Sequence, residues 1–164
     1  MNEHSLQLIQ RHRRSGVLVD TNLLLLYFVG SFRREQITRF KRTDIFTADD
    51  FDLLDGLLGQ FEKVMTTPNI LTEVSNLAGQ LPSHLKGDFF KIFAAGISLL
   101  DESYISSVEA ASGQELIKFG LTDAVIASLA KEDCLVLTAE FPLANYLQSS
   151  GIDVINFNHL RDWT

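Results

Sequence analysis

The chain has 164 residues, 46% of them apolar and 21% charged, which suffices for one substantial hydrophobic core but is too short for two. A net charge of −7 argues against a nucleic-acid partner, because binding to phosphates depends on Lys and Arg. However, residues 1–42 hold eight of the 14 basic residues and only three acids, so a nucleic-acid footprint and an ordinary solvated surface both stay open.

The first 15 residues predict a polar N-terminal extension, and residues 16–164 predict a single domain. Three arginines at 11–14 follow the weakly alternating SLQLIQ, which reverses the order found in a secretory signal, so we expect a cytoplasmic protein. The apolar stretch at 17–30 is interrupted by DTN at 20–22 and falls short of the roughly 20 apolar residues that span a bilayer. No membrane association is therefore expected.

The first strand is predicted by GVLVD, from Gly16 to Asp20, because a short β-branched run followed by polar residues is typical of a buried parallel strand. A helix is expected from about Leu23. Residues 31–42 predict a basic helical segment, and Thr47 predicts the start of a helix through FDLLDGLLGQF. Together these segments predict a helical insertion around residues 31–62.

A second strand is predicted by KVMTT at 63–67, followed by Thr67 as the cap and Pro68 as the first residue of a helix toward Gly79. Another helix is expected from 82 to about 95. Residues 97–100 are either a short strand or the end of that helix, and residues 103–118 predict one or two further helices.

Thr122 is predicted to cap the helix DAVIASLAKED, which leads into a strand, CLVLT, that ends at Thr138. A helix at 141–150 is expected to stop at Gly151, and IDVINF predicts the last strand. Strands that alternate with helices predict an α/β fold: a central parallel β-sheet flanked by helices on both faces. In such sheets the functional site lies beyond the carboxyl ends of the strands.

Four acids, Asp20, Glu73, Asp123 and Glu140, are expected near that edge. Asp20 closes the first strand and Glu140 follows the CLVLT strand, whereas the other two lie in early turns of helices. Carboxylate oxygens are ligands that Mg²⁺ and Mn²⁺ prefer, and like charges need a cation in order to coexist. The joint placement therefore predicts a site for a hard divalent metal.

Each acid also has a purely structural interpretation. Asp20 could cap the following helix, and Asp123 could complement a helix dipole. Glu73 could belong to a solvated polar stripe with Asn69 and Asn76, and Glu140 could be an ordinary loop acid. The four histidines lack the paired spacing of zinc ligands, and most of the twelve phenylalanines are expected in the core or at an interface.

Four segments in order carry a resemblance to a known family. VLVDTNLLL at 17–25, TPNILTEVSNL at 67–77, LTDAVIASLA at 121–130 and LVLTAEFPLANYLQSSGIDVINFNHL at 135–160 together resemble a PIN domain. PIN domains are metal-dependent nucleases with a central parallel sheet, so the resemblance implies Mg²⁺ or Mn²⁺ as cofactor and RNA as substrate. Similarity to VapC-like toxins implies, in addition, an antitoxin as partner and a homodimer.

The resemblance also implies roles for individual residues. Asp20, Glu73 and Asp123 would be metal ligands, and Glu140 would hold the fourth acidic position, where the family more often has aspartate. Asn22 and Thr138 would be supporting groups that orient carboxylates or water. Two other hypotheses stay open: an aspartyl phosphatase with Asp20 as nucleophile, and a catalytically silent PIN-like module that binds RNA or a protein.

Overall fold

The computed structural model describes residues 2–161, and its centre is a five-stranded sheet in the order β3-β2-β1-β4-β5. Each neighbouring pair of strands is parallel. In chain order the strands are β1 Val17–Val19, β2 Val64–Thr66, β3 Asp101–Glu102, β4 Leu135–Thr138 and β5 Val154–Asn156. The expected α/β fold with a parallel sheet is thereby confirmed.

Helices fill the connections between the strands. In chain order they are α1 Glu3–His12, α2 Thr21–Phe32, α3 Ala48–Leu58, α4 Pro68–Ala78, α5 Ser83–Ile97, α6 Ser107–Ala110, α7 Glu115–Phe119, α8 Leu121–Leu129, α9 Phe141–Ser149 and α10 Asn158–Arg161. A short 3₁₀ helix at Arg34–Gln36 follows α2. Within residues 2–161, none of these helices combines the length and the apolar character needed to cross a membrane.

The sheet is strongly apolar at its centre. All three residues of β1 are fully buried, and β1 pairs with β2 on one side and with β4 on the other. The chain moves outward from β1 to β2 and β3, then returns to the opposite side of β1 for β4 and β5. Because crossovers between parallel strands are right-handed as a rule, connections in these two directions are expected on opposite faces of the sheet. The strands β1 and β4 therefore end side by side at the switch in direction.

Several helix starts lie where the sequence predicts them. Thr47 caps α3, with a reciprocal pair of hydrogen bonds to Asp50. Thr67 caps α4, and Pro68 is the first helical residue. For residues 97–100 the sequence allows either a short strand or the end of a helix. In the structure α5 ends at Ile97, and the short strand β3 begins only at Asp101.

Two local predictions are wrong. Residues 31–42 are not one basic helix: α2 ends at Phe32, Arg33 is extended, and turns follow the short 3₁₀ helix. The Thr43 hydroxyl donates to the carbonyl of Ile37, 2.8 Å away, a side-chain bond that competes with helix formation. Thr122 does not cap α8 either, because the helix already begins at Leu121 and Gly120, with φ of 88°, holds the cap position.

The N-terminal residues belong to the folded core. Helix α1 buries Leu8 and Ile9 and contacts β4, so this segment does not extend away from the domain. The buried His12 lies 2.7 Å from Asp153, which also accepts a hydrogen bond from Arg11. Cys134, the only cysteine in the sequence, is also buried, with 3% exposure.

Candidate functional site

Asp20 joins the ends of the two central strands to the start of α2. Its Oδ1 accepts a hydrogen bond from the backbone N–H of Leu23 at 2.9 Å, so it caps α2. Its Oδ2 accepts from the hydroxyl of Thr138 and, at 2.8 Å, from the N–H of Ala139. Burial raises the pKa of Asp20, although these hydrogen bonds act in the opposite direction. The cap and the placement in the candidate site therefore occur together.

Glu140 lies beside Asp20, just past β4. Its backbone N–H donates to the hydroxyl oxygen of Thr138 at 3.0 Å, and its Oε1 accepts a hydrogen bond from the side-chain amide of Asn22 at 2.9 Å. Burial and the negative charges of Asp20 and Glu73 raise the pKa of Glu140. Asn22 and Thr138 thus contact acidic side chains of the site.

Glu73 reaches the same region from α4 and stays solvent-exposed. Its Oε2 accepts a hydrogen bond from the hydroxyl of Thr21 at 2.9 Å, and its Oε1 accepts from the hydroxyl of Thr122 at 2.7 Å. One carboxylate therefore connects three helices, α2, α4 and α8. Glu73 is not merely part of a solvated stripe.

Asp123 differs from the other three acids. Among residues 2–161 its carboxylate has no hydrogen-bond or ion-pair partner. Burial raises the pKa of Asp123 to about 7, with further contributions from the charges of Glu140, Asp20 and Glu73. A partly buried carboxylate without a partner is costly as an anion, so this position favours either a proton or a cation.

A cavity of about 230 Å³ brings the acids together at the carboxyl edge of the sheet. Its lining comprises Asp20, Thr21, Asn22, Glu73, Leu77, Phe119, Gly120, Leu121, Thr122, Asp123 and Glu140. All four predicted acids and Asn22 line this cavity. Thr138 is fully buried and does not line it, but its hydroxyl donates a hydrogen bond to Asp20. No Lys, Arg or His is among these lining residues, so nothing basic balances the carboxylates there.

The donor set suits a hard divalent cation, since it consists of oxygen atoms and carries excess negative charge. However, among the described residues no set of three or more Asp, Glu, His or Cys side chains is grouped as required to hold a metal ion. The hydrogen bonds give a physical reason: Glu73 and Glu140 are turned toward hydroxyl and amide donors. Joint ligation would require these two side chains to rotate, which the exposure of Glu73 permits.

Two contacts of the site were missed by the sequence analysis. Thr21, the middle residue of DTN, lies before the helix that is predicted from about Leu23, and Thr122 is predicted to be a cap. Both hydroxyls instead donate to Glu73, which lies about fifty residues away from either one in sequence. The sequence does contain a signal for these contacts: a threonine adjoins each of the two candidate aspartates, in Asp20-Thr21 and in Thr122-Asp123, and either hydroxyl can donate to a nearby carboxylate.

Comparisons with known proteins neither add nor remove an assignment. No protein-family model matches the chain, and no curated protein matches it in sequence. The resemblance to PIN domains therefore stays a prediction based on the four segments named above.

Proposed function

We propose that the protein is a metal-dependent endoribonuclease that hydrolyses RNA phosphodiester bonds at the cavity of the four acids. The observation that carries the proposal is the convergence of Asp20, Glu73, Asp123 and Glu140 on one cavity with no basic residue in its lining. Burial and the charges of neighbouring acids raise the pKa values of Asp123 and Glu140, so the fold alone makes these two carboxylates costly to ionise. A cation would remove that cost.

The proposed cofactor is Mg²⁺ or Mn²⁺, held by Asp20, Asp123 and Glu73, with Glu140 binding directly or through water. When bound, such an ion neutralises a phosphodiester and activates water for attack on phosphorus. Asp20 supports this role because three hydrogen bonds fix its orientation before any ligand arrives. RNA as the substrate comes from the resemblance to PIN domains, not from the cavity.

Cleavage of a mixed RNA pool with Mg²⁺ or Mn²⁺ tests the proposal, and Asp123→Asn is the cleanest variant. Asp123 has no hydrogen bonds to lose among the described residues, so the isosteric amide preserves the fold. Asp20→Asn is a second variant, but it would face the N–H of Ala139 with an amide that can also donate. We expect both variants to lose cleavage.

A matched control is Asp133→Asn. Asp133 is an exposed aspartate outside the acid cavity, and its φ of 62° is a conformation that asparagine tolerates well. This control should cleave RNA as fast as the parent. If Asp123→Asn also cleaves at the parental rate under the same conditions, the assignment of the acids is wrong.

Two alternatives remain testable in the same experiment. The engaged carboxylates of Glu73 and Glu140 favour a catalytically silent module that binds RNA or a protein, and the absence of any Mg²⁺ or Mn²⁺ binding by calorimetry would support it. An aspartyl phosphatase is less favoured, since Asp20 is 3% exposed and both of its oxygens accept hydrogen bonds. A trapped phosphoaspartate would revive that hypothesis.

The proposal includes protein partners: an antitoxin that restrains the enzyme, and a second copy of the chain. Several large apolar side chains in the segment 99–117 support a protein partner, since they are 78–89% exposed: Leu99, Tyr104, Val108 and Ile117. Light scattering of the purified chain distinguishes a monomer from a dimer. Co-purification with the product of a neighbouring small reading frame tests the antitoxin.

A further inference from the structure

The loop at residues 37–46, here called the basic loop, presents cations on a fixed backbone. Arg39, Lys41 and Arg42 are exposed, while the intervening positions Phe40 and Thr43 are buried. The Thr43 hydroxyl donates to backbone carbonyls within the loop, and its N–H donates to the carbonyl of Phe40. The loop is therefore held by its own side chains, although it is neither helix nor strand.

The positive charge of the basic loop is largely uncompensated. Among residues 2–161, the side chains of Arg39 and Lys41 have no hydrogen bond, ion pair or aromatic contact. Arg42 donates from Nε to Oε1 of Gln80 at 2.9 Å, and this neutral partner leaves the charge of the guanidinium intact. The loop holds one acid, Asp44, so its net charge is positive in a chain that is acidic overall.

The second half of the basic loop contacts elements that border the acid cavity. Arg42 is bonded to Gln80, which lies three residues beyond Leu77, a residue of the cavity lining. Three residues further along, the carbonyl of Ile45 accepts a hydrogen bond from Nη2 of Arg161 at 2.8 Å. Phe46 packs on Phe157, directly after β5.

A second chain of contacts leads from Arg161 to the acids. Nη1 of Arg161 donates to Asn158, whose side-chain amide donates to the carbonyl of Ala139. The N–H of Ala139 donates to Asp20. Ile45 and Phe46, at the end of the basic loop, therefore lie at the same edge of the sheet as the four acids.

The acid cavity alone is poorly suited to hold a polyanion. Its lining contains no cation, and a divalent ion neutralises charge only at the phosphate it touches. The phosphates on either side of that position would be repelled by the four carboxylates unless cations outside the cavity contact them. Arg39, Lys41 and Arg42 are cations in a loop that reaches this edge at Ile45 and Phe46, and among residues 2–161 they have no acidic partner.

We infer that the basic loop binds the phosphodiester backbone of the RNA strand beside the acid cavity. The inference rests on the proposed function, because it assigns the phosphate-contacting surface of that same substrate. Arg39 and Lys41 contact phosphates of the RNA and not the edges of its bases. Binding is therefore independent of the RNA sequence and weakens as the salt concentration rises. Their exposure and lack of partners mean that replacing them leaves the fold intact.

The test measures binding of a fluorescent single-stranded RNA of mixed sequence by anisotropy, in EDTA so that no cleavage occurs. The variant combines Arg39→Ala with Lys41→Ala. A matched control combines Arg13→Ala with Lys131→Ala, which removes one Arg and one Lys from the opposite end of the sheet. Urea unfolding of both variants verifies that the fold is unchanged.

We expect the loop variant to bind RNA on the order of tenfold more weakly at 0.1 M salt, with a dependence of log K on log salt that is shallower by about 1.4 for two lost phosphate contacts. The control should match the parent. The inference is overturned if the loop variant binds like the parent, if the control loses as much affinity, or if the parent binds no RNA.

This experiment tests the binding role of the loop separately from the cleavage activity of the acids. Loss of affinity in the loop variant supports the inference even if no preparation cuts RNA, in which case the nuclease proposal alone fails. Conversely, cleavage that requires Asp123 together with unchanged affinity in the loop variant would leave the nuclease proposal standing and remove the loop from it.

Discussion

Thr122 donates a hydrogen bond from its hydroxyl to Oε1 of Glu73 across 2.7 Å, and this contact joins the start of α8 to the middle of α4. The other oxygen of Glu73 accepts from Thr21 on α2. An exposed glutamate would ordinarily sample many rotamers, but two hydroxyl donors restrict this one. The restriction keeps a carboxylate at the rim of the acid cavity.

Replacing Thr122 by Val should therefore lower the free energy of unfolding by about 1 kcal/mol, because the buried hydroxyl and its bond to a carboxylate are lost at nearly constant volume. Thr122→Ser retains the donor and should recover most of that loss. Urea unfolding of the parent and both variants measures the difference. Equal stability of the Val and Ser variants would mean that the hydrogen bond contributes nothing.

Two glycines within helices should respond to alanine with opposite signs. In α2, a Cβ on Gly30 would lie 2.2 Å from the ring of Phe51, so Gly30→Ala should lower the free energy of unfolding by about 1–3 kcal/mol through overpacking. In α3, a Cβ on Gly56 meets no atom within 4 Å, and Gly56→Ala should raise stability by roughly 0.5–1 kcal/mol. Chemical unfolding of each variant provides the measurement, and a shift of the same sign in both would contradict the packing of α2 on α3.

Much of the fold follows from local signals. The strand Val17–Val19 is identifiable because its residues are apolar, two of them are β-branched, and polar residues follow directly. Thr67 with Pro68 marks a helix start by chemistry confined to neighbouring residues. Because parallel strands end at one edge, the approximate convergence of Asp20 and Glu140 follows from the strand order alone.

The remainder depends on contacts that local patterns do not encode. The sequence predicts a helical segment that extends into the basic loop, but the loop is irregular. Its last residue, Phe46, packs on Phe157, which lies more than a hundred residues away in sequence. Thr122 has the composition of a cap but finds its partner on another helix, Glu73. Whether the acids are grouped closely enough for a metal depends on rotamers, which the spacing in the sequence does not specify.

Glu140→Gln tests whether the charge or the shape of this side chain matters. The amide oxygen of Gln can still accept the hydrogen bond from Asn22, so only the negative charge is removed. If Glu140 tunes the site through water or through its charge, Mn²⁺ affinity measured by calorimetry should fall about tenfold to a hundredfold, less than in Asp123→Asn. Unchanged affinity would exclude Glu140 from the site, and a loss equal to that of Asp123→Asn would make it a direct ligand.

The raised pKa of Asp123 predicts that the metal-free protein loses stability as pH rises. In the unfolded chain this carboxyl titrates near 3.8, whereas in the fold burial and the neighbouring acids raise its pKa to about 7. Between these values the native state binds more protons than the unfolded state, so the free energy of unfolding falls from about pH 4 to pH 7 and then levels off. Asp20 and Glu140, whose pKa values are also raised, act in the same direction.

Urea midpoints at pH 5 and pH 8 in EDTA measure this effect, and Asp123→Asn isolates it. The carboxyl of Asp153, whose pKa is lowered in the fold, is ionised in both states throughout this range and does not contribute. The parent should lose more stability than Asp123→Asn between the two pH values, and Mg²⁺ or Mn²⁺ at pH 8 should restore stability to the parent alone. Equal pH dependence in the two proteins would show that Asp123 carries no raised pKa. A metal-induced gain in both would place the cation elsewhere, because a ligand stabilises the fold only through a site that the native state retains.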